Sequence, residues 1–555
     1  MAKTITSMID TRNENENVDA DGIYPSCNIN EHKQLNEQTT QDESGSDTIQ
    51  QTVRRINHYP VYIPANIDLA ELLRKYPLRL ASERVSDKNF QKTMDYIAYF
   101  LHIIHAVPAY NKDEGTDNED NGGYTNLKSF YLQNRIRNYQ QVIDWLEEME
   151  IIEVDRQYIV GEKTRGFRFT NTYSTVLKKH YIKTKTLINS LTKRISDEKV
   201  PMLQPHHLYG YTGNINNLTY SELAKEMLSF LSYPFNKNLK IDKENAEIYL
   251  RQELQKDREI YSELKAMKRF NCRMLIVNLI HDQNFRFHVD DTAGRLHTLL
   301  SCLKKELRKF VSYNGNVLTA IDIKTSQPLL SICLLEYDLF VKNSMAYRLS
   351  IYDAIASAKA GREFPRNLSI MIGDFLRNNS EAPDIQTYKD LVVSGDIYAF
   401  FGGELTARNL IPNHLLPQNG ETKIEEEIRL EAYRKYVKRE IFLIFFSKNR
   451  NVKQDSKASI FRELFPTVFK IFKKIKGGAH NTLACVLQNL EAEIVLHKAC
   501  VEIHENRPDI PLFTIHDSIV STTENADFIK GILDKYLRDA VTGDKEPKFK
   551  KEDWV

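Results

Sequence analysis

The 555-residue chain sets 76 lysines and arginines against 75 aspartates and glutamates, which excludes attraction to a polyanion through overall basicity and leaves only local clusters to provide it. An apolar fraction of 41% suits two to four domains with real cores; no run suits a bilayer and no apolar leader opens the chain, so a soluble, cytoplasmic protein without a membrane partner is expected. Cys27, Cys272, Cys302, Cys333, Cys485 and Cys500 are scattered without paired metal-ligand spacing, which fits a reducing interior.

Residues 1–55 are rich in Asn, Glu, Asp, Gln, Thr and Ser without apolar periodicity and are expected to be a disordered tail. Order begins near Tyr59-Pro60-Val61-Tyr62-Ile63, and a polar run from Asn111 to Gly123 reads as a long loop. Ile136, Tyr139, Val142, Ile143 and Leu146 recur at helical spacing as far as Met149. Two short β-like runs follow, Ile151 to Val154 and Gly166 to Phe169, around the basic turn Gly161 to Arg165. Helix plus basic hairpin resembles a winged-helix module over 56–175. Such a module offers Arg135, Arg137, Lys163 and Arg165 as DNA contacts; a small α+β packing element that never meets DNA, or a winged helix that contacts protein, is the equal alternative. Residues 176–284 read as mainly helical, with a solvated Lys and Glu surface.

From Phe285 onward strands and helices alternate. Gly294-Arg295-Leu296-His297-Thr298 precedes a basic helix, Leu303 to Phe310, an Asn314-Gly315 turn and an apolar strand from Val317 to Ile323 that contains Asp322. A carboxylate in such a run is costly unless something pairs with it, and a divalent cation would do so. Ser326-Gln327-Pro328 leads into a buried helix through Leu335, with Pro328 in its first turn. Between Tyr433 and Phe446, Arg434, Lys438, Phe442 and Phe446 fall at steps of four on one helix face. Two cations and two rings suit a nucleoside triphosphate; a plain amphipathic helix with a basic start is the alternative. Lys473-Lys474-Ile475-Lys476-Gly477-Gly478 reads as a solvated loop or a grip on template phosphate. The helix Leu483 to Leu496 carries Gln488, Asn489, Glu491 and Glu493 in apolar surroundings, as satisfied core groups or as readers of a minor groove. Finally, Pro511 to Val520 is an apolar, β-branched run interrupted by His516-Asp517. That is the pattern of a tight hairpin presenting one carboxylate. Two strand-borne aspartates with a basic helix between them in sequence meet the requirement of two-metal phosphoryl transfer.

In order and type these segments resemble the palm and fingers of family A DNA polymerases and the related single-subunit, phage-type RNA polymerases. Gly294 to Thr298 with Leu307-Arg308 resembles the family's approach to motif A. Ile321-Asp322 with Ser326-Gln327 resembles motif A itself. Arg434, Lys438, Phe442 and Phe446 resemble motif B, Gln488 the glutamine before motif C, and His516-Asp517 motif C. The resemblance implies an α+β fold with an antiparallel palm sheet, helical fingers and a thumb-like region behind the winged-helix-like domain. Residues 176–284 become the thumb-like region or a linker, 285–345 and 481–555 the two parts of the palm, and 346–480 the fingers. It also implies two Mg²⁺ ions, with Mn²⁺ as a substitute, held by Asp322, Asp517 and the Ile323 carbonyl. Arg434 and Lys438 would hold the phosphates, with Lys438 also the acid for the leaving group. Phe442, Phe446 and Gln327 would complete the nucleotide pocket, and Arg295, His297, Gln488 and His516 would meet a DNA or RNA primer-template.

Departures accompany the likeness. Two extra residues separate Asp322 from Ser326-Gln327, and Pro328-Leu329 stands where the DNA polymerases carry the glutamate that helps exclude a ribose hydroxyl. Phe446 replaces a tyrosine. Ser518 follows Asp517, as in the phage-type RNA polymerases. No strand-borne acidic motifs of a proofreading exonuclease occur. The expectation is a template-directed polymerase of a mobile element or phage, with DNA as the preferred product. A single-subunit RNA polymerase or primase is the near alternative, and a non-catalytic replication initiator the alternative of another class. The sequence leaves the oligomeric state open.

Overall fold

A computed structural model of the chain describes residues 58–78, 86–111, 122–136, 138–157, 164–192, 228–285, 287–289, 293–340, 366–379, 381–477 and 480–555. The expected disordered tail, the polar loop from 112 to 121, Arg137 and Lys163 lie outside the described residues. The fold is α+β, with antiparallel sheets and long helices. No described helix is long and apolar enough to cross a membrane, and none of the five described cysteines is in a disulfide.

The N-terminal unit opens with β1 (Tyr59–Pro64), then α1 (Asp87–Asn111), β2 (Thr125–Asn126), α2 (Ser129–Arg135), α3 (Tyr139–Glu148), β3 (Ile152–Asp155), β4 (Gly166–Phe169) and β5 (Leu177–Ile182). Strands β2, β4 and β3 form an antiparallel sheet in that spatial order. Helix α3 buries Val142, Ile143, Trp145 and Leu146, a stripe with the 3.6-residue period of a half-buried helix. Ile97, Phe100, Leu101 and Ile104 of α1 are buried beneath it, and the Phe100 and Phe167 rings meet edge to face at 5.3 Å.

Strand β1 pairs along its whole length with β5, from Tyr59 opposite Ile182 to Pro64 opposite Leu177. The sequence reads this second segment as helix. Its exposed Lys178, Lys179 and Tyr181 resemble a solvated helical face, and only the pairing with β1 makes it a strand.

Two long helices, α4 (Lys243–Ile260) and α5 (Glu263–His281), join this unit to the rest. Each starts at a side-chain cap: Asp242 accepts from the Asn245 N–H and Ser262 from the Lys265 N–H. Such caps satisfy amides that no helical carbonyl can reach. Helix α5 is buried along most of its length and packs on α1. Its Asn271 amide donates to the Thr175 carbonyl at 2.8 Å, and its Lys268 ammonium to the Tyr124 carbonyl at 2.9 Å. At its end Asp282 is bridged by Lys179 at 2.5 Å and accepts the Tyr62 hydroxyl.

The main sheet is assembled from two separated stretches of the chain, 239–323 and 513–553. After β6 (Leu239–Ile241) come a small hairpin, β7 (Phe287–Val289) and β8 (Leu296–Thr298), and then β9 (Val311–Tyr313) and β10 (Asn316–Ile323). The expected basic helix before β9 is a 3₁₀ turn, Lys305–Phe310, in which Leu307 alone is buried. One anchor supplies no apolar stripe to offset α-helix nucleation. Asn314 and Gly315, both at positive φ (51° and 78°), form the two-residue turn whose twist matches an antiparallel hairpin.

The chain returns to this sheet with β11 (Phe513–Ile515), β12 (Ser518–Thr522) and β13 (Phe549–Asp553). The order is β11-β12-β10-β9-β6, with β13 also paired to β10. Strand β10 is therefore the hub, flanked by β12 on one edge and by β9 and β13 on the other.

Beyond β13 the Trp554 N–H donates to the Leu318 carbonyl at 2.9 Å, and its side chain is 3% exposed in the core under the sheet. Trp554→Ala should therefore cost about 3 kcal/mol, read as a lower midpoint in urea unfolding. An unchanged midpoint would show that the last strand does not belong to the cooperative core.

Candidate active site

Asp322 stands near the end of β10 and Asp517 in the turn between β11 and β12. The register places Asp322 opposite Ser518, with Ile515 paired to Ser518 across the hairpin. The turn that carries Asp517 thus opens beside the end of β10, and the Ile323 N–H donates to the Asp517 carbonyl at 3.4 Å. His516, the first turn residue, is held at φ 53°, and Thr325, three residues past Asp322, at φ 55°. Left-handed backbone costs a non-glycine residue on the order of 1 kcal/mol. Both carboxylates therefore sit beside strained turns.

A serine stands beside each acid. Ser518, next to Asp517, donates to Asp322 Oδ1 at 2.5 Å. Ser326, which opens helix α6 (Ser326–Ser331) behind Asp322, lies near enough to Asp517 to favour its ionised form. Even so, both carboxyls titrate high. Burial, then the charge of Asp517, raises Asp322; burial, then the charge of Glu491, pushes Asp517 up to about 6. Crowded acids in a half-dry setting favour a cation between them.

The donor set is all oxygen, which suits a hard divalent cation such as Mg²⁺. Among the described residues no cluster of three His, Cys, Asp or Glu side chains forms a ready-made cage, so protein carboxylates would supply only part of a coordination shell.

Glu491, read from the sequence as a satisfied core group or a reader of a minor groove, is a buried and fully engaged site residue. It lies on α8 (Thr482–Ala492) and is 1% exposed. Arg295 grips it with two hydrogen bonds, Nε to Oε1 and Nη2 to Oε2, each 2.9 Å. The Gln327 amide donates to Oε2 at 2.9 Å. Three donors on one buried carboxylate tie the β7–β8 hairpin, α6 and α8 together beside Asp517. The available signal is a lone acid three residues past Gln488, on the same face of an apolar helix. Beyond Ala492 that helix continues with a wider π-type winding over Glu493–Cys500, a form frequent at functional sites.

Of the expected site residues, the structure gathers Asp322, Asp517, Gln327 and Arg295 directly. His297 faces His516 with ring centroids 6.4 Å apart. Gln488 is half-buried one turn before Glu491. Arg434, Lys438, Phe442 and Phe446 share a face of α7 (Lys423–Phe446). The Phe442 and Phe446 rings meet at 5.3 Å, and the Lys438 ammonium lies 5.1 Å from the Phe442 centroid. Arg434 and Lys438 are exposed, and α7 packs on α8, which in turn packs on α6. Among the N-terminal candidates, Arg135 is 8% exposed with its guanidinium 4.1 Å from the Tyr131 centroid. Little of its surface faces solvent. Arg165 donates to Gln140 and to the Tyr139 hydroxyl.

Lys476, expected in a solvated loop or phosphate grip, is instead buried (4% exposed). It donates to the Ile444 carbonyl at 2.5 Å and the Ser447 carbonyl at 3.1 Å, and so holds the last turn of α7. Burial pushes its pKa down to about 7 from the ordinary 10.5. Below pH 7 folded and unfolded chains both carry this proton. Above pH 7 the folded chain sheds it while the unfolded chain keeps it, so stability climbs with pH until about 10. Lys476→Met should remove roughly 2 kcal/mol of the gain between pH 7 and pH 9, read by denaturation at both values. Identical pH profiles for the two proteins would refute this role.

No protein-family model matches the chain, and no curated protein matches it. Among solved structures, a similar one is the POL domain of Pol1 from M. smegmatis in complex with DNA primer-template and dNTP. It is 11% identical with a TM-score of 0.27, and the match covers 61% of this chain and 71% of that one. A likeness of that size carries no weight, and a function has to be argued from the geometry of the site.

Proposed function

We propose that the chain is a template-directed nucleic-acid polymerase, a nucleotidyltransferase with a palm built on β10, β11, β12 and β13. The observation that carries this reading is the pairing of Asp322 with the Asp517 turn. Segments far apart in sequence, each singled out for one carboxylate, meet where the Asp517 turn opens the strand paired with Asp322, and Ser518 of that strand bonds Asp322. Asp322 and Asp517, with the Ile323 carbonyl, would hold Mg²⁺ or Mn²⁺, which supplies activation of a 3′-hydroxyl and stabilisation of a leaving pyrophosphate.

The chain's own groups have separable tasks in this reading. Arg434 and Lys438 bind the triphosphate from α7, and Lys438 gives a proton to the leaving group. Phe442 and Phe446 cover the base, with Gln327 beside them. Arg295, His297, Gln488 and His516 line the side that meets the primer-template. DNA is the preferred product. Ser518 on Asp322 favours the second reading, a single-subunit RNA polymerase or primase.

The element order α1, β2, α2, α3, β3, β4, with strands in the order β2-β4-β3, supports a winged-helix module. Helix α3 exposes Gln140, Asp144 and Glu148 and no cation, so this module suits a protein partner better than a DNA groove.

Primer extension tests the whole reading. Full-length protein with Mg²⁺, a primed DNA or RNA template and labelled deoxy- or ribonucleotides should lengthen the primer according to template. The nucleotide used identifies the sugar. Absence of extension with every combination, alongside binding of duplex DNA, would move the protein to the class of non-catalytic initiators.

A further inference from the structure

Asp322 is the middle member of a row that crosses three strands. Ser518 of β12 stands opposite it on one side and Lys550 of β13 on the other. Residues opposed in antiparallel strands point to one face, with Cβ atoms roughly 4.5–5.5 Å apart. The row therefore offers Asp322 a hydroxyl from one flank and an ammonium from the other.

The two flanks behave differently. Ser518 bonds Asp322 directly. Lys550 instead closes its ion pair with Glu552, two residues along the same strand face, at 2.8 Å. Glu552 is held in turn by Lys305 at 3.1 Å. Glu552 thus keeps the Lys550 ammonium short of contact with Asp322, and both charges still act on that carboxylate, Lys550 favouring its ionised form and Glu552, by the smaller effect, opposing it.

We propose that Lys550 is a built-in counter-cation of Asp322 that lowers the affinity of the Asp322–Asp517 pair for divalent cations. The inference rests on reading that pair as a metal site. A fixed positive charge on the same face repels a doubly charged ion and shares the field of the carboxylate the ion needs. Lys550 is exposed on the strand, so water and salt screen the effect without abolishing it. The sheet therefore holds the resting affinity of its own acidic pair below what two carboxylates alone would give.

The test is Mn²⁺ binding by full-length protein at low ionic strength, without nucleotide or nucleic acid, followed by the loss of the free-ion paramagnetic resonance signal. Wild type should bind Mn²⁺ at a site that Asp322→Asn removes. Lys550→Met should tighten that binding about 3- to 10-fold, Lys550→Arg should retain the wild-type value, and the gain should shrink in roughly 0.5 M salt. Thermal melting of Lys550→Met should match wild type, since the side chain is exposed. Wild-type affinity in Lys550→Met, with Asp322-dependent binding intact, would overturn the inference alone. Wild-type protein without Asp322-dependent binding would overturn the metal reading and this inference with it.

Discussion

Replacing Asp517 with asparagine is expected to cut primer extension at least about a thousandfold and to leave the melting temperature unchanged or higher. The two readouts separate because the carboxylate charge is a burden to the fold. Burial and the nearby Glu491 charge oppose its ionisation, with Ser326 giving partial relief. Asparagine keeps the shape and one oxygen while removing the repulsion. A side chain that served only packing would be nearly neutral in both assays. A structural charge would lower the melting temperature. Only a charge kept for chemistry loses activity at constant or improved stability. Extension within tenfold of wild type would remove Asp517 from the catalytic role, and a marked drop in melting temperature would assign it to the fold.

Legibility in the sequence tracks how local the signal is. The β9–β10 hairpin can be read because Asn314-Gly315 fixes its own turn, and the β11–β12 hairpin because its apolar runs alternate around His516-Asp517. Helices α7 and α8 show their periodicity within a few turns. Strand β13 cannot be read. Phe549-Lys550-Lys551-Glu552-Asp553 has little intrinsic strand preference and becomes a strand only because β10 offers it an edge. Leu177 to Ile182 reads as helix for the same reason. Glu491 is legible as a polar group in an apolar helix, but its partners are not. Its Arg295 contact spans 196 positions, and no spacing rule connects an acid in one helix to a guanidinium in a distant hairpin. The same holds for Lys476, whose buried role depends on carbonyls 29 and 32 positions earlier.

Glu491→Ala is expected to cost about 3–5 kcal/mol of unfolding free energy, a large share of the stability of an ordinary domain. The substitution removes the acceptor of both Arg295 bonds and of the Gln327 bond and leaves a largely buried guanidinium, its side chain 17% exposed, without that counter-charge. Removing both ions together has a different consequence. An Arg295→Met, Glu491→Met double variant has no charge to strand, and well-packed apolar replacements of a buried pair are often neutral or stabilising. It should recover most of the lost stability in urea unfolding. Primer extension then separates structure from recognition. If Arg295 serves only as the partner of Glu491, the stable double variant extends primers as wild type does. If Arg295 also touches the primer-template, the double variant is as stable as wild type and still loses activity, chiefly as a higher KM for primed template. Equal stability of Glu491→Ala and wild type would mean that the guanidinium finds water on its own, and that the three-way tie among hairpin, α6 and α8 does not hold the site together.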